Sequence, residues 1–394
     1  MFLTKDEEKI FDGEMGEAQA IAIRLLVSIG EINGADSLIP IKSAHISGVS
    51  YKNIGDGGLK FLKKIADKVK VPTTLNPLGF DMERNGPVEV DRDFKEKQLE
   101  IIKTFMSMGI KESFTCTPYY FYQKTSYGDH VAWAESSALI YANSIIGART
   151  NREGGPSALA AAIIGKTPNF GLHLDKNRVA DYEVEVNGKL DYSGAAALGL
   201  YLGTNYPGKI PRLVGFNYLR DFELKAFGAA LAASSATSMF HVENRTPDDT
   251  LNRGKKFERI EIDHNQLKNL MEEKSSSEKP ELIAIGCPHL SKDEIDYIAS
   301  LVKGKKKDKD VEVFLFASRE TIKNSFESVK IIEEFGAKVF ADTCMVVAPL
   351  SKKYHKTAIN SGKASFYLPM KEYGGQEIIF RNFNDLLRWA VVDY

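Results

Sequence analysis

The sequence predicts an α/β fold whose C-terminal part is a doubly wound parallel sheet. Three observations carry this. From residue 281 onward, apolar runs of strand length alternate with periodic helical stretches, the pattern of βαβ units. The helices there carry start and stop signals: a Ser291-Lys-Asp-Glu294 capping box, and Gly336 just past the last periodic residue. A polar break, Lys274-Ser-Ser-Ser-Glu-Lys-Pro280, separates this unit from a longer N-terminal part in which helices and short strands also alternate.

In chain order, residues 5–27 are rich in helix formers and read as one helix. Residues 37–47 read as a strand ending in a Gly/Ser turn, and 71–75 as another. Residues 91–108 form a periodic helix leading into a strand that ends at Cys116. Residues 132–146 read as a helix dense in small residues, and 158–164 as a short Ala-rich helix. Residues 221–233 read as a helix with an acid in the first turn, where the macrodipole favours one. After the break come a strand at 281–285 and a helix with Ile295, Ile298, Leu301 and Val302 on one face. A strand at 311–317, a helix at 318–335 and a strand at 338–341 complete the pattern. In such sheets ligands gather outside the carboxyl ends of the strands, and Cys287 and Cys344 both fall at that edge.

The chain has 394 residues, 43% hydrophobic and 27% charged, enough for a large core and two or more lobes. A net charge of −1 gives no sequence-wide basic field for nucleic acid or an anionic membrane. The basic run Lys303-Gly-Lys-Lys-Lys-Asp-Lys-Asp310 is short, interrupted by acids, and reads as a solvated loop. The first residues carry acids where a signal peptide would be apolar, and no apolar run reaches transmembrane length. A reducing cytoplasm is the expected setting. There, scarce cysteines are more often metal-binding or catalytic than crosslinked.

Only three cysteines occur, Cys116, Cys287 and Cys344, each predicted at a strand end. Free cysteine behaves as a small hydrophobe, so three unrelated buried thiols is one reading. Three thiolates sharing an iron–sulfur cluster, with one iron open to substrate, is the other. Familiar motifs are missing. Gly55-Asp-Gly-Gly58 has Lys60 where the dinucleotide fingerprint needs its third glycine. Gly165-Lys-Thr167 lacks the leading glycine of a phosphate loop. There is no Cys-x-x-Cys and no His-Glu-x-x-His. His130 and His241 lack a nucleophile elbow and read as structural or as supports behind a site. His289, two residues from Cys287, reads either as a donor to a cluster sulfur or as a surface residue.

Four polar segments suit anions, although each also suits an ordinary turn. In His45-Ile-Ser-Gly-Val-Ser-Tyr51, Gly48 permits unusual backbone angles, and Ser47 and Ser50 add hydroxyls for a nest. Asn76-Pro-Leu-Gly79 presents an amide beside a backbone fixed by Pro77. Asn360-Ser-Gly-Lys363 adds a positive charge to a flexible turn. Gly147-Ala-Arg-Thr-Asn-Arg-Glu-Gly-Gly-Pro-Ser157, with Arg149 and Arg152, suits carboxylate binding or a rigid site wall.

Six segments carry a resemblance. They are Ser47-Gly-Val-Ser-Tyr-Lys-Asn53, Thr115-Cys-Thr-Pro118, the stretch from Gly147 to Gly155, Gly286-Cys-Pro-His289, Asp342-Thr-Cys344 and Ser361-Gly-Lys363. Through them the chain resembles the catalytic region of the aconitase X family along essentially its whole length. Conventional aconitases hold two cluster cysteines as Cys-x-x-Cys, and the dispersed pattern here is similar to the X branch.

The resemblance implies aconitase-superfamily-like lobes with doubly wound parallel sheets around a central cluster site, lacking the swivel domain. The lobes would span 1–274 and 281–394, joined by a linker at 275–280. Cys116, Cys287 and Cys344 would hold a [4Fe-4S] cluster with one iron open. Gly48, Val49, Ser50, Asn76, Pro77 and Lys363 would bind substrate, with Arg149 and Arg152 as further candidates that could instead organise the site wall.

The chain stops where fused bacterial members continue into a swivel domain, as in the two-chain archaeal type. That type implies a heterodimer whose small subunit supplies the swivel domain and a serine base. It also implies a cytoplasmic hydro-lyase of a modified mevalonate pathway, converting (R)-5-phosphomevalonate to trans-anhydromevalonate 5-phosphate. The open iron would act as a Lewis acid on the departing hydroxyl. The competing expectations are a cis-3-hydroxy-L-proline dehydratase of the same family and a non-catalytic metal-binding subunit.

Overall fold

Parallel sheets wrapped by helices build the chain. The computed structural model describes residues 1–84, 86–276 and 279–392. Positions 277 and 278 of the predicted linker, and the last two residues of the predicted 281–394 lobe, lie outside the described residues.

Among the described residues there are four sheets. Leu38–Pro40 pairs antiparallel with Lys166–Pro168. A three-stranded parallel sheet has Ala44–Ile46 at its centre, flanked by Thr73–Leu75 and Ala132–Trp133. A four-stranded parallel sheet orders His241–Val242, Pro211–Leu213, Tyr182–Asn187 and Arg259–Asp263. The fourth sheet runs Lys338–Phe340, Glu312–Ala317, Leu282–Leu290, Lys356–Ile359 and Glu377–Phe380, all parallel. Its chain order grows outward in both directions from the central Leu282–Leu290 strand. That makes it doubly wound, with the switch point beside that strand. Every residue of the central strand is buried, as expected for a strand covered on both faces.

Several helices are covered on nearly all sides and lie inside the molecule. Gly155–Ile164 and Asp221–Ser234 are buried along nearly their full length, as is Tyr192–Asn205. Their Ala and Gly content lets them pack closely where an amphipathic surface helix could not.

Many predicted elements form as expected. Asp91 caps the helix Arg92–Ser107 by accepting from the Phe94 N–H at 2.8 Å. Ser291 opens Lys292–Val302 with the predicted capping box, and Gly336 ends Phe326–Phe335 in a left-handed conformation.

Other predictions need correction. The single helix at 5–27 is two, Lys5–Asp12 and Glu17–Ile32, because the chain turns between Gly13 and Gly16. The strand at 37–47 is also two. Pro40, lacking an N–H, ends an antiparallel edge, and the chain then enters a different sheet at Ala44. Residues 132–146 are not one helix. Ala132–Trp133 is a strand, Glu135 caps the helix Ser136–Tyr141, and Ala142–Ile146 widens into a π-helix. A continuous apolar run does not separate buried strand from buried helix by periodicity. Among the described residues, no strand leads directly into Cys116. Residues 113–116 run irregularly beside Thr73–Leu75, tied by the Thr115 N–H to the Leu75 carbonyl at 2.9 Å. The helix at 318–335 breaks at Ser325 into Arg319–Asn324 and Phe326–Phe335.

The four-stranded sheet escaped prediction because its strands carry charges. Arg212 pairs with Glu183 and Asp249, and Arg259 with Glu183 and Glu185. These ladders interrupt the apolar alternation that marks a strand in sequence.

Candidate active site

The three-stranded and five-stranded sheets point their carboxyl edges at one another. Two segments stitch these edges together. Leu78 and Thr343 form a parallel bridge. The Leu78 N–H donates to the Asp342 carbonyl at 2.7 Å, and the Thr343 hydroxyl donates back to the Leu78 carbonyl at 2.8 Å. The Asp81 carboxylate accepts the Ala341 N–H at 2.8 Å. Between the edges lies a cavity of about 290 Å³.

The chain reaches this cavity from strand end after strand end. Ser47, Gly48 and Val49 follow the central strand of the small sheet, Asn76 and Pro77 follow its neighbour, and Glu135 follows the third strand. Gly286 and Cys287 enter from the central strand of the large sheet, and Cys344 from the loop after Lys338–Phe340. Lys363 enters after Lys356–Ile359. Cys116 comes from the irregular segment beside Thr73–Leu75. All three cysteines therefore line one cavity, together with Gly48, Val49, Asn76, Pro77, Lys363 and Arg152 of the predicted substrate contacts.

Two predicted contacts are placed elsewhere. Ser50 is buried as the N-cap of Tyr51–Ile65, behind the lining residues. Arg149 turns away and pairs with Asp175 at 2.8 Å. Arg152 stays at the wall, where its guanidinium donates to the Ala232 and Ser235 carbonyls at 2.8 and 2.7 Å. The stretch from Gly147 to Ser157 is braced rather than open. Asn143 donates to the Thr150 carbonyl at 2.9 Å and accepts the Thr150 N–H at 3.0 Å. The fully buried Arg178 grips the Asn143 and Ala148 carbonyls, both at 3.0 Å.

Lys363 is not on a flexible turn. It lies in the first turn of the helix Gly362–Tyr367, buried, with its ammonium against the Glu135 carboxylate. Ser137 and Ser136 hydroxyls also donate to Glu135, at 3.1 and 3.3 Å, and the Asn76 amide donates to its second oxygen at 2.7 Å. Burial alone would raise the Glu135 pKa, but Lys363 and Asn76 outweigh it and hold the carboxyl at about 2. Burial would lower the Lys363 pKa, and Glu135 holds it above its ordinary value instead. The pair is therefore fully ionised. Behind it His45 is wholly buried, with Nδ1 2.8 Å from the Thr74 hydroxyl, and burial lowers its pKa to about 4.

Sequence reasoning did not single out Glu135, which lines the cavity, or Gln98, which braces it from behind. Gln98, on the helix Arg92–Ser107, donates to the Val49 carbonyl at 3.0 Å and accepts the Tyr51 N–H at 3.0 Å. It also accepts the Gly79 N–H at 3.4 Å, bracing the turns at Gly48 and Asn76 at once. In sequence Glu135 is only one polar residue inside the stretch read as a helix at 132–146, and Gln98 one residue of a helix face.

Burial pushes all three thiols up to about 12. A metal would ionise them outright, because a coordinated thiol gives up its proton. Donors already aim at the sulfurs. The His289 N–H donates to Cys116 Sγ at 3.2 Å. The Ser361 hydroxyl faces Cys287, and the N–H groups of Val346 and Val347 face Cys344. Such hydrogen bonds tune an iron–sulfur cluster. Among the described residues, no three His, Cys, Asp or Glu converge on a single-ion site. A cubane does not ask for that, since each thiolate binds a different iron and the three sulfurs need only share one cavity. The donor set fits a cluster.

Gly286 shows how tightly Cys287 is delivered. Its φ of +110° suits glycine, and a Cβ there would stand 2.3 Å from the Phe316 carbonyl oxygen. Gly286→Ala is expected to destabilise the chain by about 1–3 kcal/mol, the range for such strain, and to lower its iron content. Urea unfolding and iron analysis check both.

The family models for the aconitase X first, second and third domains match residues 1–176, 177–272 and 280–392. The chain is 48% identical to the phosphomevalonate dehydratase large subunit of Methanosarcina mazei, over 94% of this chain and 92% of that protein. It is 46% identical to the protein of the same name from Methanocaldococcus jannaschii, over 98% and 100%. The crystal structure of Thermococcus kodakaraensis aconitase X in its holo form superposes with a TM-score of 0.92 at 41% identity, covering 99% of this chain and 100% of that one. A more distant relative, at 33% identity over 92% of this chain and 66% of its own length, is the cis-3-hydroxy-L-proline dehydratase of Pseudomonas aeruginosa.

Proposed function

Because the chain belongs to the aconitase X family, we propose that it is the large subunit of a hydro-lyase that removes water from (R)-5-phosphomevalonate to give trans-anhydromevalonate 5-phosphate. The observation that carries this reading is the single cavity where three distant cysteines meet the ionised Lys363–Glu135 pair. Nearly full-length similarity to dehydratase large subunits supports the choice of substrate over the more distant proline dehydratases.

Cys116, Cys287 and Cys344 would hold a [4Fe-4S] cluster. When bound, the cluster supplies a Lewis-acidic iron to polarise the departing hydroxyl. The chain's own residues do the rest of the binding. Lys363 presents a compact charge to a carboxylate or phosphate of the substrate, and Glu135 keeps it oriented and protonated. Asn76 offers its amide at the same wall. Gly48, Val49 and Pro77 enclose the ligand, and the tethered Arg152 adds positive charge at the rim. With its pKa held at about 2, Glu135 is a weak base for a carbon-bound proton. As the family resemblance implies, a small subunit carrying the swivel domain would supply the base. The cytoplasm is the matching setting for reduced cysteines. Among the described residues no helix is long and apolar enough to cross a membrane.

The test is turnover. The chain, produced anaerobically together with its small subunit, should dehydrate (R)-5-phosphomevalonate and leave cis-3-hydroxy-L-proline untouched. Turnover of the proline substrate alone would reassign the enzyme. Iron-loaded complex inactive on both would identify a non-catalytic metal-binding subunit.

A further inference from the structure

The three cysteines lie far apart in sequence, and one side chain touches all three of their segments. His289, two residues beyond Cys287, is completely buried. Its Nδ1 lies 3.0 Å from the hydroxyl of Thr115, the residue before Cys116. Its Nε2 lies 2.8 Å from the carbonyl oxygen of Thr343, the residue before Cys344. Its own N–H donates to Cys116 Sγ.

The partners define the proton positions. A carbonyl only accepts, so Nε2 carries the hydrogen and Nδ1 accepts from the Thr115 hydroxyl. Thr115 in turn accepts the Thr117 N–H at 3.1 Å, which holds the turn around Cys116. The His289 carbonyl is gripped by Lys225 at 2.9 Å, and the Lys225 ammonium is neutralised by the buried Glu294. Thr115, Thr343 and Lys225 are each at most 1% exposed, so the whole assembly is shielded from competing water.

We infer that His289 is a clasp that assembles the three-cysteine site, holding the Cys116, Cys287 and Cys344 segments in place through Thr115 and the Thr343 carbonyl. The inference rests on reading the cysteines as cluster ligands. His289 itself is a positioning residue. It reaches the cluster site through the cysteine segments, with only its backbone N–H on a sulfur. Its ring replaces the local Cys-x-x-Cys pairing that this chain lacks. Outer-shell partners of this kind are worth about 10- to 100-fold in metal retention.

The test uses the full chain with its small subunit, loaded with iron and sulfide under anaerobic conditions, and follows iron release to bipyridyl. His289→Ala and Thr115→Val are each expected to speed release by about 10- to 100-fold and to alter the visible and paramagnetic spectra of the cluster. Because the two groups share one hydrogen bond, the double variant should release iron no faster than His289→Ala alone. His289→Gln, whose amide can both donate and accept, should recover part of the retention. Thr115→Val keeps the side-chain shape, so it carries the test even if His289→Ala does not fold. Release at the wild-type rate and unchanged spectra in Thr115→Val and in folded His289 variants would overturn the clasp. Wild-type protein that binds no iron, or whose iron survives substitution of the cysteines, would instead overturn the ligand assignment beneath it.

Discussion

Cys116→Ser, Cys287→Ser and Cys344→Ser are each expected to strip cluster iron and to abolish dehydration. The hydroxide leaving group is poor, and Lewis-acid assistance is worth several kcal/mol, so activity should fall by more than about 10³-fold. Serine is nearly isosteric with cysteine. The change therefore tests ligation rather than packing, although Cys116 and Cys287 are buried. A hard alkoxide-type oxygen with a high pKa is a poor substitute for a soft thiolate. Iron and sulfide analysis, with initial rates on (R)-5-phosphomevalonate, checks the result. Full iron content and full activity in all three variants would exclude the cluster reading.

Glu135→Ala is the second large effect. Removing one member of a buried ion pair leaves the other charge uncompensated, at a cost of about 3–5 kcal/mol. Lys363 and Glu135 side chains are 9% and 10% exposed, so little solvent is present to rescue the survivor. Lys363→Ala should destabilise comparably, and the Glu135→Gln/Lys363→Met double variant should recover most of the loss because no lone charge remains. Urea midpoints of the full chain measure this, and shifts equivalent to under about 0.5 kcal/mol, the size of an ordinary surface change, would contradict it. Both single variants should also lose activity, through loss of the charge or of its orientation.

The pH dependence follows from the same pair. The folded pKa of Glu135, about 2, lies below its ordinary 4.5, so its contribution to stability is fully present above 4.5. It is lost as pH falls toward 2. Between pH 5 and 8 the pair stays ionised, and a pH–rate profile in that window should report groups other than Glu135.

Most of the large sheet was legible because its signals are local. Capping at Ser291, the stop at Gly336 and the strand at 312–317 depend on residues a few positions apart. Elements failed where long-range contacts chose the state. Ala132–Trp133 is a strand because Ala44 and His45 pair with it, and 113–116 is irregular because it lies against Leu75. The charged ladders of the four-stranded sheet hid its strands for a related reason, since their partners lie tens of residues away.

The candidate site divides along the same line. The sequence alone identified the segments that carry it: three cysteines in distinctive surroundings, the turns at Gly48 and Asn76, and Lys363. Each has a special residue type or turn chemistry readable within a short window. Tertiary structure alone decided how they combine. It turned Arg149 away toward Asp175, neutralised Lys363 with Glu135, and placed His289 against the neighbours of Cys116 and Cys344. A buried charge or imidazole is defined by whatever completes its hydrogen bonds in a space without water, and those partners are set by how two sheet edges meet rather than by adjacency in the chain.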